Sequence, residues 1–163
     1  MDEQVADMVL KALARGLEAD RLAASGQFDE ALRIHREEAI PVFEQAGDWR
    51  SKAVTQGKIA DLLASQGQLE EALLLLREEA LPAFDRLGDL RDCAIVFDRI
   101  AFIHEIRGEW AESLGVRQAK ELPIYEALKD QAACEVTLQQ IEQLRVELEP
   151  HAAKVKSKKK KKK

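Results

Sequence analysis

Gly26, Gly67 and Gly108 stand 41 residues apart, and the same step separates Pro41, Pro82 and Pro123. Asp48, Asp89 and Asp130 keep it too, as do Leu32, Leu73 and Leu114, and Phe43, Phe84 and Tyr125. Aligned without gaps, residues 26–66 and 67–107 share 17 of 41 positions, and residues 67–107 and 108–148 share 9. A chain that repeats at this period is built from stacked supersecondary units, each burying its apolar face against its neighbours.

Each unit reads as two helices. Ala53, Gln56, Ile59, Ala60, Leu63 and Ala64 mark one face at three- and four-residue steps. After Gly67 the pattern resumes with Leu69, Ala72, Leu73, Leu76, Ala80, Leu81 and Phe84. Gly47-Asp48 and Gly88-Asp89 fit a glycine closing one helix and an aspartate capping the next. The spacing predicts seven helices, at about 3–25, 28–46, 49–66, 69–87, 90–107, 110–128 and 131–148. Repeat units fall at about 8–48, 49–89 and 90–130, with a closing helix at 131–148, all within one domain over 1–150. The recurring proline lies inside each second helix, where it removes a hydrogen bond and clashes with the carbonyl four residues back. Its recurrence is read as a kink, with a break into two short helices as the alternative.

Composition agrees with an all-α chain. Ala, Leu, Glu, Arg and Gln recur throughout, while only 8 glycines and 4 prolines leave too few turns for a many-stranded sheet. No apolar run is long enough for a membrane span, and the first residues lack a signal-peptide pattern, so the expected compartment is the cytoplasm. Eight of the 25 basic residues are Lys154, Lys156 and Lys158 to Lys163, leaving 17 basic against 30 acidic side chains in residues 1–153, a net −13. Residues 151–163 are therefore expected to be a disordered lysine-rich tail.

Small residues recur where helices must approach closely: Ala19, Ala60 and Ala101 on the first helices, Ala31 and Ala72 on the second. With Ile59-Ala60, Leu63, Gly67, Ala72 and Leu76, and again Ile100-Ala101, His104, Gly108, Ser113 and Arg117, the pattern resembles the tetratricopeptide repeat. The unit departs from that family's 34 residues by seven, about two helical turns, and its proline lies deeper in the second helix. In this it is similar to long-repeat bacterial relatives of the family. The resemblance implies an α-solenoid of antiparallel helix pairs with a right-handed superhelix, whose first helices line a concave groove. Carried over by register, the groove side chains would be Asp20, Lys58, Asp61, Asp98, Arg99, Phe102 and Glu105. The chain has no asparagine, and Gly16, Gly57, Asp61 and Phe102 stand where the family's chaperone-binding members carry their carboxylate clamp.

Nothing in the chain reads as catalytic, metal-binding or cofactor-binding. His104-Glu105 begins like a zinc-protease helix, but Gly108 occupies the place of the second histidine. His104 and His35 fall at helix–helix contact positions of the repeat. The pairs Glu37-Glu38 and Glu78-Glu79 lack the Glu-x-x-His partners of carboxylate-bridged metal sites and are expected in solvent. Cys93 and Cys134, one period apart, are too distant for a disulfide on neighbouring helices. Trp110 reads as core, whereas Trp49, beside a turn, is core or an exposed anchor for a partner.

The expected function is therefore a non-enzymatic protein–protein interaction scaffold that holds a basic or amphipathic peptide or partner segment in the groove, with self-association through the array ends also open. The alternative is electrostatic binding of nucleic acid or an anionic membrane surface through the lysine tail.

Overall fold

The computed structural model describes the backbone of residues 3–160 and the side chains of residues 3–149. Seven helices make up the described residues: α1 (Glu3–Ala24), α2 (28–46), α3 (Trp49–Ser65), α4 (69–87), α5 (Leu90–Ile106), α6 (110–127) and α7 (Gln131–Lys160). The fold class is the all-α one the period predicts, and six of the seven helices end within one residue of their expected limits. By packing, the chain divides into two compact units, Met1–Asp89 and Leu90–Lys163, and the division falls on a repeat boundary. In the first unit α1 packs on α2, α2 on α3 and α3 on α4; in the second α5 packs on α6 and α6 on α7. Turns of two or three residues make each packed pair antiparallel.

One device makes every passage from a second helix to the next first helix. Gly47 and Gly88 take φ of 68° and 69°, the left-handed conformation that glycine adopts without a Cβ penalty. The following aspartate N–H then reaches back to the helix, from Asp48 to the Phe43 carbonyl at 2.9 Å and from Asp89 to the Phe84 carbonyl at 3.0 Å. Asp48 also opens α3, its Oδ1 accepting the Ser51 N–H at 3.0 Å. At the third junction Asp130 does both jobs, accepting the Ala133 N–H at 3.1 Å, but the left-handed residue before it is Lys129, with φ of 56°.

The recurring proline neither breaks the helix nor sits in an ordinary α-turn. A π-helical stretch precedes it each time, at Ile34–Ala39, Leu76–Ala80 and Arg117–Glu121, and the helix continues on the other side. A widened turn, bonded i to i+5, needs no bond from proline to the carbonyl four residues back, so the helix tolerates a ring there. The apolar row steps by four and four across this stretch, through Leu76, Ala80 and Phe84, all buried.

The small residues sit where the helices meet. Ala19, Ala60, Ala101, Ala31 and Ala72 are all fully buried. His35 and His104 are buried as well, and Trp110 is half-buried. Cys93 is buried and Cys134 half-buried, with no disulfide between them.

The backbone of the last helix is helical to Lys160. Lys161 to Lys163 lie outside the described residues. Of the acidic pairs, Glu37, Glu78 and Glu79 are exposed, as expected, and Glu38 is half-buried. Glu38 accepts two hydrogen bonds from Arg15, at 2.5 and 2.9 Å, and one from Arg33 at 2.9 Å, which hold its carboxyl down at about 2. Glu79, one period later, accepts from the buried amide of Gln56, which stands one period after Arg15.

Candidate functional site

The seven residues assigned to the groove do not share one role. In the first unit Asp20 of α1 and Lys58 of α3 join across neighbouring first helices, Lys58 Nζ donating to Asp20 Oδ2 at 2.6 Å. Beneath them His35 of α2 is 1% exposed, its Nε2 3.5 Å from Asp20 Oδ1 and its Nδ1 without a hydrogen-bond partner. Burial lowers the His35 pKa, against the pull of the Asp20 carboxylate, so the ring is held neutral. Asp61 is exposed on α3.

In the second unit Phe102 is exposed on α5 and Arg99 is half-buried. Asp98 and Glu105, by contrast, turn toward Arg117 of α6, whose guanidinium is 1% exposed. Arg117 Nη1 donates to Asp98 Oδ1 at 2.6 Å, to Glu121 Oε2 at 2.9 Å and to Gln140 Oε1 at 3.1 Å. Its Nε and Nη2 both reach Glu105 Oε1, at 3.1 and 3.0 Å. Ser113 Oγ donates to the same Glu105 oxygen at 2.8 Å, and Thr137 Oγ1 to Glu121 Oε1 at 2.9 Å. Burial raises the Glu121 pKa, and the nearby Asp98 charge adds to this against Arg117. Burial works against the Arg117 charge, but the surrounding carboxylates outweigh it and its pKa is raised. Asp98 and Glu105 thus bind a buried guanidinium while their own side chains stay 43% and 25% exposed.

Sequence reasoning missed this cluster, although a signal for it existed. Asp98, Glu105, Ser113, Arg117 and Glu121 stand one period after Gly57, Ala64, Ala72, Leu76 and Ala80. Five departures from small or apolar residues in a single copy, all at helix-contact positions, mark a polar interior.

The concave features described in the first unit lie elsewhere than the seven residues. A cleft of about 480 Å³ is lined by Trp49, Lys52, Gln56, Glu79, Ala83, Arg86 and Leu87. It adjoins a second, of about 390 Å³, that shares Lys52, Gln56 and Glu79 and adds Ile40, Ile59, Leu74 and Leu75. Trp49 is 52% exposed and Leu87 46% exposed. The Lys52 ammonium lies 5.9 Å from the Trp49 ring centroid and 2.6 Å from Glu44 Oε1, so the ring is held between a cation and the cleft. Leu90 and Leu128, the repeat counterparts of Trp49 and Leu87, are likewise exposed in the second unit.

Among the described residues no three His, Cys, Asp or Glu side chains are placed to hold a metal ion, and no helix is long and apolar enough to cross a membrane. No family model matches the chain, and no curated protein matches it. Among solved structures, it is similar to the nearly identical TPR-like repeats of a Podosopora anserina protein classed as a kinesin light chain. That likeness has 13% identity and a TM-score of 0.38, over 85% of this chain and 97% of the other. The assignment to antiparallel helix pairs rests on the helices and their packing rather than on this likeness.

Proposed function

We propose that this chain is a non-catalytic protein-interaction scaffold, and that it seats an apolar side chain of a partner's amphipathic segment in the Trp49 cleft. The observation that carries the reading is Trp49 itself: half-exposed, beside the Lys52 ammonium, and lining a cleft together with the exposed Leu87. Tryptophans set this way are the residues around which interfaces concentrate their binding energy. Around the two clefts Arg36, Lys52 and Arg86 offset Glu44, Glu71 and Glu79, which suits an amphipathic segment better than a strongly charged one. The groove positions expected from the repeat register are further places for such a segment, Asp20, Lys58 and Asp61 within the first unit and, separately, Asp98, Arg99, Phe102 and Glu105 within the second.

Trp49 and Trp110 are the only tryptophans, so Trp110→Phe leaves Trp49 as the sole reporter. Helical peptides selected on this variant should shift the Trp49 emission on binding and lose most of their affinity with Trp49→Ala, at unchanged circular dichroism. Peptides that bind equally well without Trp49 would overturn the cleft. Ligands that are only polyanions, released by moderate salt or by removal of the lysine tail, would favour the electrostatic reading instead.

A further inference from the structure

The first helix presents a second, unrelated surface. Leu10, Leu13 and Leu17 of α1 are 65%, 43% and 59% exposed, at three- and four-residue steps along one face, with the exposed Ala14 between them. One period later the same places are Ser51, Val54 and Lys58 of α3. There the face is occupied: α3 packs on α2, Val54 is half-buried and Lys58 reaches Asp20 of α1. In the repeat, then, this face of a first helix is the one that a neighbouring helix covers, and on α1 it carries three leucines.

We propose that the face is covered by a second copy of this chain, with two α1 helices paired antiparallel about Ala14. The charges beside the leucines select this occupant. Asp7, Lys11, Glu18 and Arg21 are all exposed and lie along one flank of the leucine row, reading minus, plus, minus, plus. That series is its own complement when reversed. A twofold axis at Ala14 sets Asp7 opposite Arg21 of the other copy, seven residues either side, and brings Lys11 near Glu18. Antiparallel helices bring like flanks together, so four intermolecular ion pairs line one edge of the seam, and a small residue at its centre lets the helices approach closely. In the monomer Asp7 pairs with Lys11 and Glu18 with Arg15, both within the helix and exposed, so exchanging them costs little. The interface is isologous and closed, which limits the assembly to a dimer. It lies apart from the Trp49 cleft and does not depend on the partner-binding reading.

The test is sedimentation velocity of the full chain from about 1 to 200 µM, the range a single-helix seam calls for. The expected mass rises with concentration from 18.3 kDa toward twice that value and no further. Leu13→Glu should hold the protein monomeric throughout, with an unchanged thermal melt because the residue is half in solvent. Arg21→Asp, fully on the surface, should weaken dimerisation about tenfold or more, and Asp7→Arg added to it should restore the affinity by exchanging the charges. A protein monomeric at the highest concentration overturns the proposal, as does a dimer that survives Leu13→Glu. Failure of the charge exchange to rescue Arg21→Asp overturns the antiparallel arrangement.

Discussion

Helices α3 and α4 meet through Gly57, Ala64, Ala72, Leu76 and Ala80, whereas α5 and α6 carry Asp98, Glu105, Ser113, Arg117 and Glu121 at the same repeat places. The backbone plan is shared, including the π-helical stretch and the turn before it, yet one pair is closed by hydrocarbon and the other by one guanidinium among three carboxylates. Hydrocarbon packing is tolerant: any side chain of similar volume will do. The polar interior makes a stricter demand, since Arg117 must find Asp98 and Glu105 on α5, Glu121 on its own helix and Gln140 on α7 at once. Burying it brings little net stability, because desolvation consumes most of the Coulombic gain, but removing one member leaves the others stranded. The two pairs should therefore answer the same substitution in opposite ways.

The largest effect comes from exchanging their central residues. Arg117→Leu should destabilise by about 3–5 kcal/mol, because Glu121 is left buried without its cation. Leu76→Arg should cost at least as much, about 4 kcal/mol, since Gly57, Ala64 and Ala80 offer the guanidinium no carboxylate. Adding Glu121→Ala and Glu105→Ala to Arg117→Leu rebuilds the hydrocarbon version and should bring stability back to within about 1 kcal/mol of the parent. Urea titrations at neutral pH decide the matter: a triple variant no better than the single one would show that the network is not what holds this pair.

Next in size is a substitution that should not distinguish the pairs. Ala60→Phe and Ala101→Phe each force a ring into a fully buried helix contact and should cost about 1–3 kcal/mol or more. Similar losses at both sites would show that close approach is common to the two interiors, and a marked difference would mean that the polar pair is looser.

How much of this was legible beforehand follows the same division. Ala60 and Ala101 could be placed in the core because helix contacts impose size, and size repeats with the period. The capping aspartates were visible because their chemistry is local to four residues. The π-helical stretch was not, since a bond from i to i+5 uses the same residue types as one from i to i+4, and only the paired four-residue steps through Leu76, Ala80 and Phe84 hinted at it. Asp98 and Glu105 show another limit of the sequence. Register places a side chain on a face, but whether it turns outward depends on a partner 12 to 19 residues away, here Arg117. Trp49 stayed open at the sequence level because a tryptophan beside a turn fits core and surface equally.

Acid should separate the units by sign. His35, in the first, has a lowered pKa, so below about 6.5 the unfolded chain takes up a proton that the folded one refuses, and stability falls with pH. Asp20 and Lys58 are the charged groups that face it. Glu121, in the second, has a raised pKa, so the folded state takes its proton first and stability rises as pH falls toward the ordinary carboxylate range. Below that range Glu38, held at about 2, loses the help of Arg15 and Arg33, and stability falls again. Thermal melts between about pH 7.5 and 4.5 should show a shallower acid loss for His35→Leu, which copies Leu76, and a steeper one for Glu121→Gln. Identical profiles for both variants would remove the contrast.

The smallest expected effect isolates a single dihedral angle. Gly88 and Lys129 close equivalent helices in the two units at φ of 69° and 56°, with the same backbone bonds on either side. A Cβ added at Gly88 would meet no atom within 4 Å, so the site imposes no packing penalty of its own. What remains is the left-handed strain, about 1–2 kcal/mol for a residue with a side chain, offset by the greater freedom glycine loses on folding, about 0.5–1 kcal/mol. Lys129→Gly should then stabilise by roughly 0.5–1 kcal/mol, a rise in Tm of a few degrees at most for a chain of this size. Gly88→Lys should destabilise by the same amount, and the double exchange should come out neutral, because each substitution acts on the backbone of its own turn. Equal and opposite shifts in paired melts would show that the turns are interchangeable parts and that the units differ only in what lies between their helices. Should Lys129→Gly destabilise instead, its side chain would be contributing something beyond the turn, and the second unit would differ from the first at its junction as well as in its interior.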